Sequence, residues 1–146
     1  MNVWTPMSDI GRLLYIKAVK LIMSFHGIER LNISGLELNR NETEFASSMK
    51  LYPDYYSDKM LEAYHKAMEG SKVCSDEIYE LCRLNLREQL RCTLASGAMD
   101  FVISFGDDYT MKLFCREIRK EIIDSIRDVG LFVEIISDPE KSEIYI

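Results

Sequence analysis

Two adjacent carboxylates, Asp107 and Asp108, stand in the stretch FGDDYTMK, after an apolar run and before a pattern with helical periodicity. Paired acids at such a junction are the raw material of a magnesium or phosphoryl site. That chemistry needs further oxygen ligands, and nothing adjacent in sequence supplies a third acid or a histidine. A local role explains both residues. Asp107 serves as the N-cap of a helix that begins at Asp108, and Asp108 faces the positive end of the helix dipole. The expectation is a cap, with no metal and no cofactor.

The remaining reactive side chains are few. His26 closes a predicted helix, where a cation suits the negative end of the dipole. His65 follows Tyr64, and neither histidine stands near a recognisable nucleophile. No phosphate-cradling glycine loop and no nucleophile elbow occurs. The four cysteines, Cys74, Cys82, Cys92 and Cys115, form no C-x-x-C pair and have no histidine at a metal-ligand spacing. With Cys82 and Cys92 on one helix, the rise per residue puts them roughly 15 Å apart, too far for a disulfide. The expectation is a binding protein rather than an enzyme, with reduced and mostly buried thiols.

Two surfaces then compete for the binding role. Tyr52, Tyr55 and Tyr56 cluster around a proline in LYPDYYSDKM, and clustered tyrosines offer large contact area with a polar tip. The terminal SEIYI adds a second candidate. A strand at the chain end carrying Ile144 and Ile146 is expected to form an exposed sheet edge, open to a second copy or to another protein. The rival is nucleic acid or a nucleotide. Arg83, Arg87 and Arg91 recur at i, i+4 and i+8, and Lys112, Arg116, Arg119 and Lys120 flank a second predicted helix. Packed side by side, these helices form a basic patch for phosphate.

The charge balance favours protein over nucleic acid. The net charge is −6, and residues 74–146 carry all of it, with fifteen acidic against nine basic side chains. Backbone phosphates attract the opposite balance. The stretch LLYIKAVKLIMSF is too short and too charged to span a bilayer, and MNVWTPMSD does not read as a signal peptide. A cytoplasmic regulatory protein with no membrane partner is the expectation, an accessory factor of the kind that phages, viruses and bacteria make.

Helices and strands must place these residues. Ser8 and Gly27 bracket a first helix over Asp9–His26. Residues 28–40 alternate about Ser34–Gly35, which predicts a short hairpin; in 42–51 Phe45, Met49 and Tyr52 fit a helical face and nothing alternates cleanly, which leaves helix and strand both open. A second helix runs from Pro53 or Ser57 to Glu69, ahead of Gly70. A third covers 75–97, capped by Ser75 and ended by Gly97. MDFVISF (99–105) alternates as a strand. A helix with the stripe Met111, Phe114, Cys115, Ile118, Ile122, Ile126 and Val129 follows from 108 to 129. LFVEIIS and SEIYI close the chain as a hairpin around DPEK. The sequence therefore predicts one α+β domain over 1–146. It has N-terminal helices and a short hairpin, then a β-α-β-β module, with helices packed on one face of a sheet of three to five strands.

Overall fold

The computed structural model describes residues 9–38, 42–51, 53, 57–106, 111–115, 119–128, 130–131, 134–138 and 141–145; side chains are not described at 9–13, 42, 48, 134–138 and 141–145. Helix α1 (Asp9–His26) has the predicted bounds. Ile16, Val19, Ile22 and Met23 are buried, while Lys17, Lys20, Leu21, Ser24 and Phe25 face outward. Its end is a Schellman turn. Ile28 N–H bonds Met23 O at 2.9 Å and Gly27 N–H bonds Ser24 O at 3.2 Å, with Gly27 at φ 65° as that left-handed position requires.

The predicted hairpin at 28–40 is one strand, β1 (Arg30–Leu38). Its register against the strand at Leu90–Ala95 shifts between Ser34 and Glu37. Gly35, at φ 60°, makes a bulge where a turn was expected, and its N–H is held by Glu69 Oε1 at 2.8 Å. A break in alternation marks a bulge as well as it marks a turn. Residues 42–51 form α2 (Glu42–Leu51). Helix α3 (Asp58–Lys66) starts after Ser57, the second of the two expected positions, whose Oγ accepts Met60 N–H at 3.2 Å, and it ends before the expected Glu69. Gly70 then turns the chain into the short β2 (Lys72–Cys74).

Helix α4 (Ser75–Leu86) is eleven residues shorter than the expected 75–97. Its N-cap is Cys74, and Ser75 is the first helical residue. A second Schellman turn ends it: Gln89 N–H bonds Leu84 O at 3.0 Å and Glu88 N–H bonds Asn85 O at 3.0 Å. Here the left-handed residue is Glu88, at φ 59°. Residues expected on the helix, from Leu90 onward, form β3 (Leu90–Ala95) instead. A turn through Met99 (φ 58°) leads into β4 (Phe101–Phe105), so the predicted strand begins two residues late and Met99 is exposed.

The helix expected from 108 to 129 is a strand and a shorter helix, β5 (Met111–Cys115) and α5 (Lys120–Asp128). Met111, Leu113 and Cys115 are buried and alternate with half-buried Lys112 and Phe114. The helical stripe through 111, 114 and 115 was an accident of composition. β6 (Glu134–Asp138) and β7 (Lys141–Tyr145) form the predicted terminal hairpin.

Among the described residues seven strands, more than expected, make one antiparallel sheet in the order β2-β1-β3-β4-β5-β7-β6. Register aligns Ile33, Leu94, Ile103, Leu113, Ile144 and Ile135 in a single row across six strands. The four of these whose side chains are described are 2% exposed or less. α4 packs against β1, β2 and β3, and α1 bridges α4 to α5. The fold is α+β, with the helices on the face that this row occupies. The terminal strand is not the sheet edge that the sequence suggested: β7 lies between β5 and β6, and the outer position belongs to β6.

Candidate functional site

The arginine stripe does not survive the end of α4. Arg83 is on the helix and pairs with Glu80, Nη1 to Oε1 at 2.5 Å. Arg87 is the C-cap and is fully buried. Arg91 lies on β3, exposed, opposite Glu37 of β1. Three residues placed in a helix, a cap and a strand do not share a face. The second basic group also separates. Lys112 is half-buried on β5, while Lys120 opens α5. The Arg119 guanidinium sits 5.1 Å from the centroid of the Phe25 ring, and Arg116 lies outside the described residues. Among the described residues the expected basic side chains are spread over α4, β3, β5 and α5.

Tyr52, Tyr55, Tyr56 and Ile146 lie outside the described residues, and so do Asp107 and Asp108. The helix that the two acids were expected to cap is strand at 111–115. Ile144 is on the interior strand β7, opposite Leu113 on one side and Ile135 on the other. His26 meets Phe25 and Phe101, with ring centroids 5.3 and 5.7 Å away, and His65 meets Tyr64 edge-on at 5.7 Å. Among the described residues no group of three or more histidines, cysteines or acids is placed to hold a metal ion.

The turn after α4 brings Cys82 and Cys92 near one another, which straight-helix geometry had excluded. Burial pushes the Cys82 thiol far up, with Cys92 adding to the effect, and burial raises Cys92 as well. Asn85 locks this corner. Its Nδ2 donates to Leu81 O at 2.8 Å and to Cys92 Sγ at 3.3 Å, and its Oδ1 accepts Cys92 N–H at 3.0 Å. Cys74 is the exposed thiol, donating to Glu77 Oε1 at 3.7 Å. None of the four cysteines is in a disulfide.

Two features missed in the sequence stand out. The first is the outer edge of β6. The second is a groove of about 210 Å³ between α3 and α4. Lys59, Glu62, Ala63 and Lys66 line it from α3, at the i, i+3, i+4, i+7 spacing of one helix face, and Asp76, Glu77 and Glu80 line it from α4. Lys66 and Glu62 pair at 2.7 Å on the exposed rim. That hydrogen bond, with the charge behind it, holds the Glu62 carboxyl below its ordinary value and Lys66 above its own. Glu80 is 9% exposed; its Oε1 is taken by Arg83, and its Oε2 is buried with no hydrogen-bond partner. Glu80 and Arg83 are three residues apart, a spacing at which helical side chains meet, and α3 packs against α4 where Glu80 is buried.

No helix among the described residues is long and apolar enough to cross a membrane. The chain matches no protein-family model, no curated protein and no solved structure.

Proposed function

We propose that the protein is a small regulatory or accessory module that works by binding another protein, and that the partner adds a strand to β6. The observation that carries this reading is the position of β6 at the end of the strand order, with β7 on one side and no strand on the other among the described residues. An outer strand presents unpaired N–H and C=O groups that template an incoming strand.

The register defines the acceptor. Asp138 and Lys141 are the closing pair of a hairpin with two residues between them, and such a pair exchanges its own hydrogen bonds. Alternation then commits Asp138, Ile136 and Glu134 to β7 and turns the N–H groups of Ile135 and Ser137 outward. Residue types define the partner. β6 reads EIISD, with an acid at each end and no base. Antiparallel pairing of two copies centred on Ile136 sets Glu134 opposite Asp138, which like charges oppose. A different protein, with lysine or arginine flanking an apolar centre, fits this edge better than a second copy does.

The test is affinity capture with wild-type protein and with Ser137→Pro, both after nuclease treatment, followed by hydrogen exchange on the reconstituted complex. Proline removes one outward N–H and leaves the β7 ladder intact. The expected result is a partner lost from the variant, together with slowed exchange at the Ile135 and Ser137 amides of the wild type on binding. A partner retained by Ser137→Pro, or one that vanishes with nuclease, overturns the proposal.

A further inference from the structure

We infer that the outward face of α1 is a second docking surface, and that its occupant is an amphipathic helix of another protein with carboxylates along both sides of its apolar stripe. This goes beyond the strand-addition reading and does not depend on it. Lys17, Lys20, Leu21, Ser24 and Phe25 are all exposed, and they recur at i, i+3, i+4, i+7 and i+8, the spacing of one helix face. Leu21 is 37% exposed and Phe25 44%. Half-buried Leu14 continues their line two turns nearer the start of the helix. The strip from Leu14 to Phe25 is roughly 16 Å long, which three turns of a partner helix cover. Helices dock on such strips through anchors at i, i+3 or i+4, and i+7.

The chemistry of the occupant follows from the cations on both flanks. Lys17 and Lys20 stand on one side of the strip. On the other side α5 packs against α1, with the Arg119 guanidinium 5.1 Å from the Phe25 ring centroid at one end and Gly130 against Leu14 at the other. Lys20 lies 4.9 Å over the Tyr79 ring, and neither lysine is in an ion pair among the described residues. α1 has no acid after Asp9. The acids of α5, Glu121, Asp124 and Asp128, recur at i, i+3 and i+7 on the side away from its buried isoleucines. The face is therefore basic on a chain whose net charge is −6, and charge complementarity selects an anionic partner. A second copy docking through its own α1 brings the lysines of both copies together, which like charge opposes. An anionic bilayer meets the −6 of the whole chain, whereas a helix meets only the strip and its flanks.

The experiment is a titration of the ¹⁵N-labelled full chain, followed by amide shifts, with synthetic peptides of equal length. One is a helix with leucines at i, i+4 and i+7 flanked by glutamates; the second has lysines in place of the glutamates, and the third is a scrambled form of the first. Phosphatidylserine vesicles form a separate arm. The expected result is saturable binding of the acidic helix, tighter than either control peptide or the vesicles, with shifts on α1 and around Arg119. Phe25→Ser weakens it roughly tenfold, as loss of an aromatic anchor does, and Lys17→Glu weakens it about threefold to tenfold. Lys17→Glu changes an exposed helix position, so it decides the matter even if Phe25→Ser fails to fold. No saturation with the acidic helix overturns the inference. So does equal or tighter binding of the lysine helix, the scrambled peptide or the vesicles, or undiminished affinity in Lys17→Glu.

Discussion

Replacing Asn85 with alanine tests the corner that fixes the path of the chain after α4. In the native protein the Asn85 amide satisfies Cys92 N–H, at 3.0 Å, and gives a second donor to Leu81 O, at 2.8 Å. Asn85 is 7% exposed and Cys92 2% exposed, so water does not substitute for either bond. The variant leaves the Cys92 N–H unsatisfied, at about 1–3 kcal/mol, and Leu81 O loses one of its two donors, a smaller cost; together these amount to about 2–4 kcal/mol. For a domain of this size that corresponds to a fall in Tm of roughly 5–15 °C. Scanning calorimetry measures it, and hydrogen exchange at the Cys92 amide locates it, since that amide loses its protection ahead of its β3 neighbours. A Tm within about 2 °C of wild type, with Cys92 still protected, refutes the assignment of Asn85 as the lock.

Glu88→Gly is expected to stabilise the protein by up to about 1 kcal/mol, because the strain of a left-handed non-glycine residue exceeds the extra backbone entropy that glycine loses; a urea denaturation midpoint that falls contradicts it. Cys82 and Cys92 impose a pH dependence. Their folded pKa values are raised from the ordinary 9.0, so above that pH the unfolded chain releases thiol protons that the folded chain retains. The unfolded state then binds fewer protons and stability falls as pH rises. Tyr15 and Tyr79, also raised, act in the same direction. The urea midpoint should decline between about pH 8.5 and 10.5, with a shallower slope in Cys82→Ala; a flat profile refutes it.

The same C-terminal turn closes α1 and α4, yet only the first was legible. At the end of α1 the left-handed position holds glycine, which announces the turn. At the end of α4 it holds Glu88, a residue typed for a solvated helix face. Leu90, Cys92 and Leu94 then continue an apolar pattern that helix and strand share over a short run. The error spread to the site, because Arg83, Arg87 and Arg91 form a stripe only on a helix that runs past 91. The second helical error has the same origin. Met111 and Cys115 are four residues apart, a helical spacing, and also two strand periods apart. The five cross-strand pairs of β5 with β4 decide the matter, and no local pattern contains them. What was legible was local: the C-terminal glycine of α1, Ser57 as one of two starts for α3, the alternation of β4, and the two runs that pair as the last hairpin.

The position of the last strand is harder still, because it depends on which side of a hairpin docks. β6 follows β5 through α5, and β6 runs parallel to β5, since both are antiparallel to β7. Direct contact between β5 and β6 would have made a parallel β-α-β unit with β7 at the edge, as the end of the chain suggested. Insertion of β7 keeps every pair antiparallel, the slightly more stable arrangement per residue. It also aligns Leu113, Ile144 and Ile135 in one apolar row. Both strands carry isoleucine, serine and glutamate, so composition alone does not say which of them docks. The difference lies in direction: only β7 meets β5 head to tail. Among the described strands the outer position therefore passes to β6, with an acid at each of its ends, and topology rather than chain order decides which strand lies outermost.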